Sequence, residues 1–198
     1  MLISFKACNP REFIQPDGYT ATLIRSGTEG NLILATLDGS NEILMEVILL
    51  ALIDLMAEGK TITEVKYKGK GARRWFQMVY PPVLVPVFFG ILNHDESLIG
   101  YVVASKSALS PTRIVIGIAL AKSWRGQGIG FLVLKHLQAN LEKAFPFVVN
   151  EIAFETSKNN FAMIEIGKKL GFKEISPLEP NAWAESPPDR IRFLWIKS

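Results

Sequence analysis

In the second half of the chain, apolar positions switch from strand-like runs to helical spacing and back. Leu98–Lys106 and Arg113–Leu120 are short, mostly apolar and rich in β-branched residues, and a Ser/Pro loop separates them. They predict two strands. Residues 126–144 carry Ile129, Leu132, Val133 and Leu137 at helical spacing and predict an amphipathic helix. Residues 148–156 predict a further strand, residues 159–170 a second helix closed by Gly171, and Arg190–Ile196 a last strand. Upstream, residues 83–92 form an apolar β-type run whose Pro86 assigns it to an edge or a bulge. The polar turn 93–97 (NHDES) joins it to the next strand. The order β-β-β-α-β-α-β combines hairpins with a crossover helix and predicts an α+β or mixed-sheet domain.

The first 80 residues are less regular. YTATLI and NLILATL flank Arg25-Ser-Gly-Thr-Glu-Gly30 and read equally as a hairpin or as short helical pieces. Asp38, Ser40 and Asn41 are candidate N-caps for a helix that runs to about Glu58 and stops at Gly59. Its apolar stretch is interrupted by Glu46 and Asp54 and is too short to cross a bilayer, so it reads as a core helix. Residues 61–68 alternate like a strand, 69–74 form a basic turn, and 75–80 give a further candidate strand broken by Pro81-Pro82.

The 198 residues suit one domain, 1–198, large enough to bury roughly 70% of its unfolded surface without a disulfide or metal. An apolar share of 48% with 21% charged residues excludes a disordered chain. Lys+Arg exceed Asp+Glu by 22 to 19, a net charge of +3. That suits an anionic ligand and is too small to argue for nucleic acid. The single Cys8 forms no internal disulfide and fits a reducing, cytoplasmic compartment. The N-terminus has no basic stretch leading into an apolar one, so no secretory signal is expected. A mean hydropathy of +0.21 leaves room for an apolar groove or a homodimer surface.

Chemistry concentrates at residues 114–134, IVIGIALAKSWRGQGIGFLVL. A strand feeds into Arg125-Gly126-Gln127-Gly128-Ile129-Gly130, and a helix follows. Glycines at 126, 128 and 130 are costly at a helix start unless the backbone must approach something closely. The helix N-terminus supplies unpaired N–H groups and partial positive charge, so the segment reads as a phosphate cradle. A P-loop is disfavoured because no Lys-Ser/Thr follows Gly130. A dinucleotide fingerprint is disfavoured because Phe131 stands at its third glycine.

The spacing R-x-x-G-x-G resembles the coenzyme-A signature of the GNAT family of N-acetyltransferases, and FETSKNNFAMIEIGKKLGF (154–172) resembles that family's second motif. The resemblance covers about residues 85–197. It implies an α+β fold with a mixed, mostly antiparallel central sheet flanked by helices, acetyl-CoA or another acyl-CoA as co-substrate, no metal, and an amine acceptor that is a small molecule or a protein N-terminus. Ile118, Ala119 and Leu120 then match the strand that pairs with the pantetheine arm. Arg125, Gly126, Gln127, Gly128 and Gly130 match the pyrophosphate loop. Asn160 matches the helix-start amide near the thiol end, and Lys122 and Lys158 are within sequence reach of the nucleotide phosphates. A non-catalytic acyl-CoA-binding module of the same fold is the alternative.

Acyl transfer to an amine needs a neutral amine, donors for the oxyanion and a proton for the leaving thiolate. Many members of that family supply the proton from a Tyr, here Gly167. The branch that acetylates ribosomal-protein N-termini places a Ser at what is here Met163. Glu155, on the strand after the first motif, is the candidate base. A lysine amine (pKa about 10.4) costs about 4 kcal/mol to neutralise at pH 7, and an α-amine (about 7.7–8.0) roughly 1 kcal/mol. A chain without an evident base therefore suits an α-amine or a similar weakly basic acceptor.

The remaining candidates have plainer readings. His136 falls in the apolar stripe of the motif helix and reads as a hydrogen-bonded boundary residue. His94, Asp95 and Glu96 read as a solvated turn. Cys8 has no neighbouring His to activate it as a nucleophile. Trp75, Phe76, Phe88, Phe89 and Tyr101 read as core or groove lining. Lys66, Lys68, Lys70, Arg73 and Arg74 form the densest basic stretch, which reads as a solvated face or an acidic-substrate surface rather than a nucleic-acid surface.

Overall fold

The computed structural model describes residues 14–25, 30–38, 86–107, 109–175 and 190–197. Along them run β1 (Thr20–Leu23), β2 (Leu32–Leu37), β3 (Val87–Leu92), β4 (Leu98–Lys106), β5 (Arg113–Leu120), a 3-10 turn (Lys122–Trp124), α1 (Ile129–Ala139), α2 (Leu141–Ala144), β6 (Glu151–Ser157), α3 (Phe161–Lys169), β7 (Lys173–Ile175) and β8 (Arg190–Ile196). All eight strands form one sheet in the order β1-β2-β3-β4-β5-β6-β8-β7. Every neighbouring pair is antiparallel except β5 and β6, which α1 and α2 connect as a crossover. The sheet is thus mixed and mostly antiparallel, as expected.

Cross-strand partners share a face, so the register sorts the core. Phe89, Val102 and Ile118 line up on one face, as do Ile114, Ile152, Phe154 and Phe193. These residues join Ile129, Val133, Leu134 and Leu137 of α1 and Ile164 of α3 in one buried cluster, with Ile118 partly buried against it. The other face is also covered: Ala35, Phe88, Tyr101, Val103 and Ala119 are buried. β4, central in the sheet, is buried along all but its last residue.

Several boundaries differ from those expected. The ambiguous N-terminal segment is a hairpin, with Thr20 opposite Ala35. The motif helix begins at Ile129 rather than 126, because Gly126 and Gly128 take left-handed φ values of 76° and 74°. It breaks at Asn140, whose side-chain amide donates to the His136 carbonyl at 2.9 Å while its backbone N–H turns to Leu137. The following strand starts at Glu151 rather than 148. β7 was not anticipated; three residues are too few to show a period. The helix expected to run to about Glu58, the strands 61–68 and 75–80, Glu46, Asp54, Cys8, Trp75, Phe76 and the basic stretch 66–74 lie outside the described residues.

Candidate functional site

The parallel pair β5–β6 stops early. Arg113, Ile114 and Val115 face Glu151, Ile152 and Ala153, and no later residue of either strand pairs with the other. β5 nevertheless continues to Leu120 and β6 to Ser157. The two strands therefore diverge and leave a gap. Backbone alternation fixes what lines it. Ser107 N–H donates to the Arg113 carbonyl and Ala121 N–H to the Ile99 carbonyl, so odd-numbered residues of β5 turn their amides to β4. Ile116, Ile118 and Leu120 turn theirs to the β6 side, while Ala119 is bonded toward β4. Gly100 lets β4 approach this end closely: a Cβ there would lie 2.5 Å from the Ala119 carbonyl oxygen. A glycine inside a strand pattern signals such a close approach, although residue 100 was not among the expected site residues.

The gap opens onto the glycine loop. Gly126 and Gly128 hold left-handed backbone, and a Cβ on either would meet nothing within 4 Å. Their glycines thus serve backbone conformation, and they border open space. Gly128 is the N-cap of α1 and caps with no side chain. Leu132 N–H closes the first turn on the Gly128 carbonyl, which leaves the N–H groups of Ile129, Gly130 and Phe131 without intrahelical partners. Gly130 has a different reason: a Cβ there would press on Ile166 of α3 at 3.3 Å. The Arg125 guanidinium turns inward, its Nε donating to the Leu120 carbonyl at 2.9 Å, and its backbone N–H donates to Lys122. Gln127 spans the loop by donating to the Ser123 carbonyl at 2.9 Å and accepting from Arg25 at 3.1 Å.

On the far side of the gap, Asn160 caps α3, its Oδ1 accepting from Met163 N–H at 3.3 Å. Ser157 and Asn159 precede it in a tight turn, and Lys158 and Lys122 are exposed. Two expected catalytic positions hold no acid. Gly167 is buried, and a Cβ there would stand 2.8 Å from Phe154 Cζ and 3.3 Å from Phe193 Cδ1. Those two rings stack at 5.0 Å and occupy the place a larger side chain would need. Met163 packs against the core cluster.

Glu155, the candidate base from sequence, lies in a buried charged cluster between β6 and β8. It lies opposite Arg192 on β8, and Arg192 Nε donates to its Oε1 while Arg190 Nη1 donates to its Oε2 at 3.3 Å. All three side chains are buried, at 6%, 9% and 12% exposure. Both oxygens thus hold guanidinium donors, and the carboxylate forms a buried ion pair with the last strand. The alternation Arg190-Ile-Arg192 on the last strand could have signalled this, given the register with β6.

The histidines behave as expected. His136 Nε2 lies 2.6 Å from the Tyr19 hydroxyl, and burial lowers the imidazole pKa and raises that of the phenol. His94 is exposed beside Asp95 in the β3–β4 turn. Phe88, Phe89 and Tyr101 are core. No group of three or more His, Cys, Asp or Glu arranged to hold a metal occurs among the described residues, and no helix among them is long and apolar enough to cross a membrane.

Residues 53–172 match the family model described as Acetyltransferase (GNAT) family. No curated protein matches the chain by sequence. Among solved structures, the chain is similar to the GNAT domain of S. lividans PAT (12% identity, TM-score 0.65, 92% of this chain and 99% of that one). It is also similar to spermidine N-acetyltransferase from Vibrio cholerae in complex with CoA and spermine (14% identity, TM-score 0.61, 84% and 95%). A third is the ribosomal alpha-N-protein acetyltransferase RimL in complex with coenzyme A (14% identity, TM-score 0.58, 89% and 98%).

Proposed function

Because the chain belongs to the acetyltransferase (GNAT) family, it is an acyl-CoA-dependent N-acetyltransferase, and we propose that its co-substrate lies along the open side of β5 with the diphosphate on the loop 125–130. The observation that carries this reading is the early end of β5–β6 pairing directly upstream of the glycine loop. An extended, amide-bearing arm can add to the unpaired side of β5 as a strand adds to a sheet edge, with Ile118 offering both backbone groups. The N–H groups of Ile129, Gly130 and Phe131 and the helix dipole suit the diphosphate. Ala119, Arg125 and Gln127 serve by fixing this frame: Ala119 toward β4, Arg125 on Leu120 and Gln127 across the loop. Asn160, whose side-chain oxygen caps α3, is assigned through its amide nitrogen to the arm's thiol end.

The acceptor we assign is an α-amine or another weakly basic amine, a small molecule or a protein N-terminus. Neither Gly167 nor Met163 can donate a proton, and Glu155 is held by two arginines. The neutral amine attacks the thioester carbonyl, and its surplus proton passes through solvent to the departing thiolate. The chain contributes positioning and backbone donors, which can supply several kcal/mol of barrier reduction. The lone Cys8 supports a cytoplasmic setting.

The test is release of free CoA thiol from acetyl-CoA with a panel of amines. Peptides with a free α-amine should drive release at neutral pH, and blocked peptides bearing only lysine should need alkaline pH. Saturable acetyl-CoA binding with no amine-dependent release would instead identify a non-catalytic acyl-CoA-binding module.

A further inference from the structure

We infer that Arg25, two residues past the end of β1, is a phosphate-contacting residue of the coenzyme site; the inference rests on the coenzyme reading above. Arg25 comes from outside the residues that match the family model, and 102 positions separate it from Gln127 in sequence. Even so, its Nη2 donates to Gln127 Oε1 at 3.1 Å. Topology explains the meeting. β1 ends at Leu23 opposite Leu32, β3 ends at Leu92 opposite Ile33, and β5 ends at Leu120 opposite Gly100. Arg25 and the loop after β5 therefore lie at the same end of the sheet.

Charge gives the contact a purpose. Backbone N–H groups and a helix dipole supply only partial positive charge to a ligand bearing several phosphate charges. The loop's own arginine, Arg125, directs its Nε to the Leu120 carbonyl, toward the strand. Arg25 brings a full charge to the rim, with a guanidinium that has five N–H donors in a planar fork suited to phosphate. Gln127 orients that fork. Its amide is held at both ends, by Ser123 and by Arg25, so the guanidinium is tied to a residue of the loop before any ligand arrives. Because Gln127 belongs to the diphosphate loop, the diphosphate is the assigned partner rather than the 3′-phosphate.

The experiment measures dissociation constants by calorimetry for CoA, 3′-dephospho-CoA and pantetheine, with wild type, Arg25→Met and Gln127→Met at two salt concentrations. Arg25→Met should weaken CoA and 3′-dephospho-CoA by the same factor, about tenfold for one charge-assisted contact. It should leave pantetheine unchanged and flatten the salt dependence of CoA binding. Gln127→Met, which keeps the charge, should weaken CoA less. Equal CoA affinity in wild type and Arg25→Met overturns the inference. So does a Gln127→Met loss as large as that of Arg25→Met with salt dependence retained in both, since Arg25 would then be only a clasp. A loss confined to CoA and absent for 3′-dephospho-CoA overturns the diphosphate assignment. If folded wild type binds no CoA, the coenzyme reading fails, and this inference with it.

Discussion

The loop after β5 and the β6–α3–β8 corner border the same gap, yet they present different chemistry to it. The loop offers backbone: left-handed glycines with open space beside them and a helix start with unpartnered N–H groups. The corner offers side chains already committed to one another, namely Phe154 stacked on Phe193 beneath Gly167 and Glu155 held by Arg190 and Arg192. Binding geometry can be kept by the main chain alone, whereas side-chain acid–base catalysis needs an ionisable group that is not already held by a partner. The contrast supports the proposed reading, in which the chain positions the thioester and the acceptor arrives weakly basic.

The comparison breaks most readily at Glu155. Glu155→Ala leaves two buried guanidinium groups facing an empty site and should cost about 3–5 kcal/mol in urea unfolding. Glu155→Gln retains the shape and some acceptor capacity. If the carboxylate is structural, the folded Gln variant should keep its turnover with an α-amine peptide; a hundredfold fall in kcat at unchanged stability would restore Glu155 as the base. Gly167→Ala comes next. Its methyl would press on Phe154 and Phe193, and the expected destabilisation is about 1–3 kcal/mol, read from the same unfolding curves. A neutral result would mean that the aromatic pair yields and that the acid's place is not filled. Asn160→Ala removes the α3 cap and should cost about 1 kcal/mol of stability, while KM for acetyl-CoA rises by more than that loss explains.

The smallest effect is on pH dependence, and it concerns the clasp between the N-terminal segment and α1. Burial lowers the His136 pKa below 6.5, so the unfolded chain binds a proton more readily and stability falls as pH drops below about 6.5. Burial raises the Tyr19 pKa above 10.0, so the tyrosine's contribution is present below that value and is lost as pH rises through the folded one. Thermal midpoints should plateau between these limits, and Tyr19→Phe should remove the alkaline decline.

Much of the loop half was legible in the sequence, because Gly126 and Gly128 report backbone conformation, and Gly130 a close contact, through residue type itself. The strands Leu98–Lys106, Arg113–Leu120 and Arg190–Ile196 were legible too, since each is long enough for its pattern to show. The corner was not. Glu155 looks like a base from its place on a strand, and only the β6–β8 register reveals that Arg190 and Arg192 stand beside it. Gly167 reads as a missing tyrosine, and only packing shows that two phenylalanines occupy its space. The contact between Arg25 and Gln127 has no local signal at all, because it depends on which strand ends share an edge of the sheet.

The most direct test of the central claim is a calorimetric titration of the folded chain with acetyl-CoA, run beside Gly128→Glu. Residue 128 has φ of 74°, so glutamate there strains the backbone and brings a negative charge to the helix start. The account predicts saturable heat for the wild type and affinity weakened about 100-fold or more for the variant, in line with the combined strain and charge penalties. No heat from the wild type, or equal affinities in the two proteins, would contradict it.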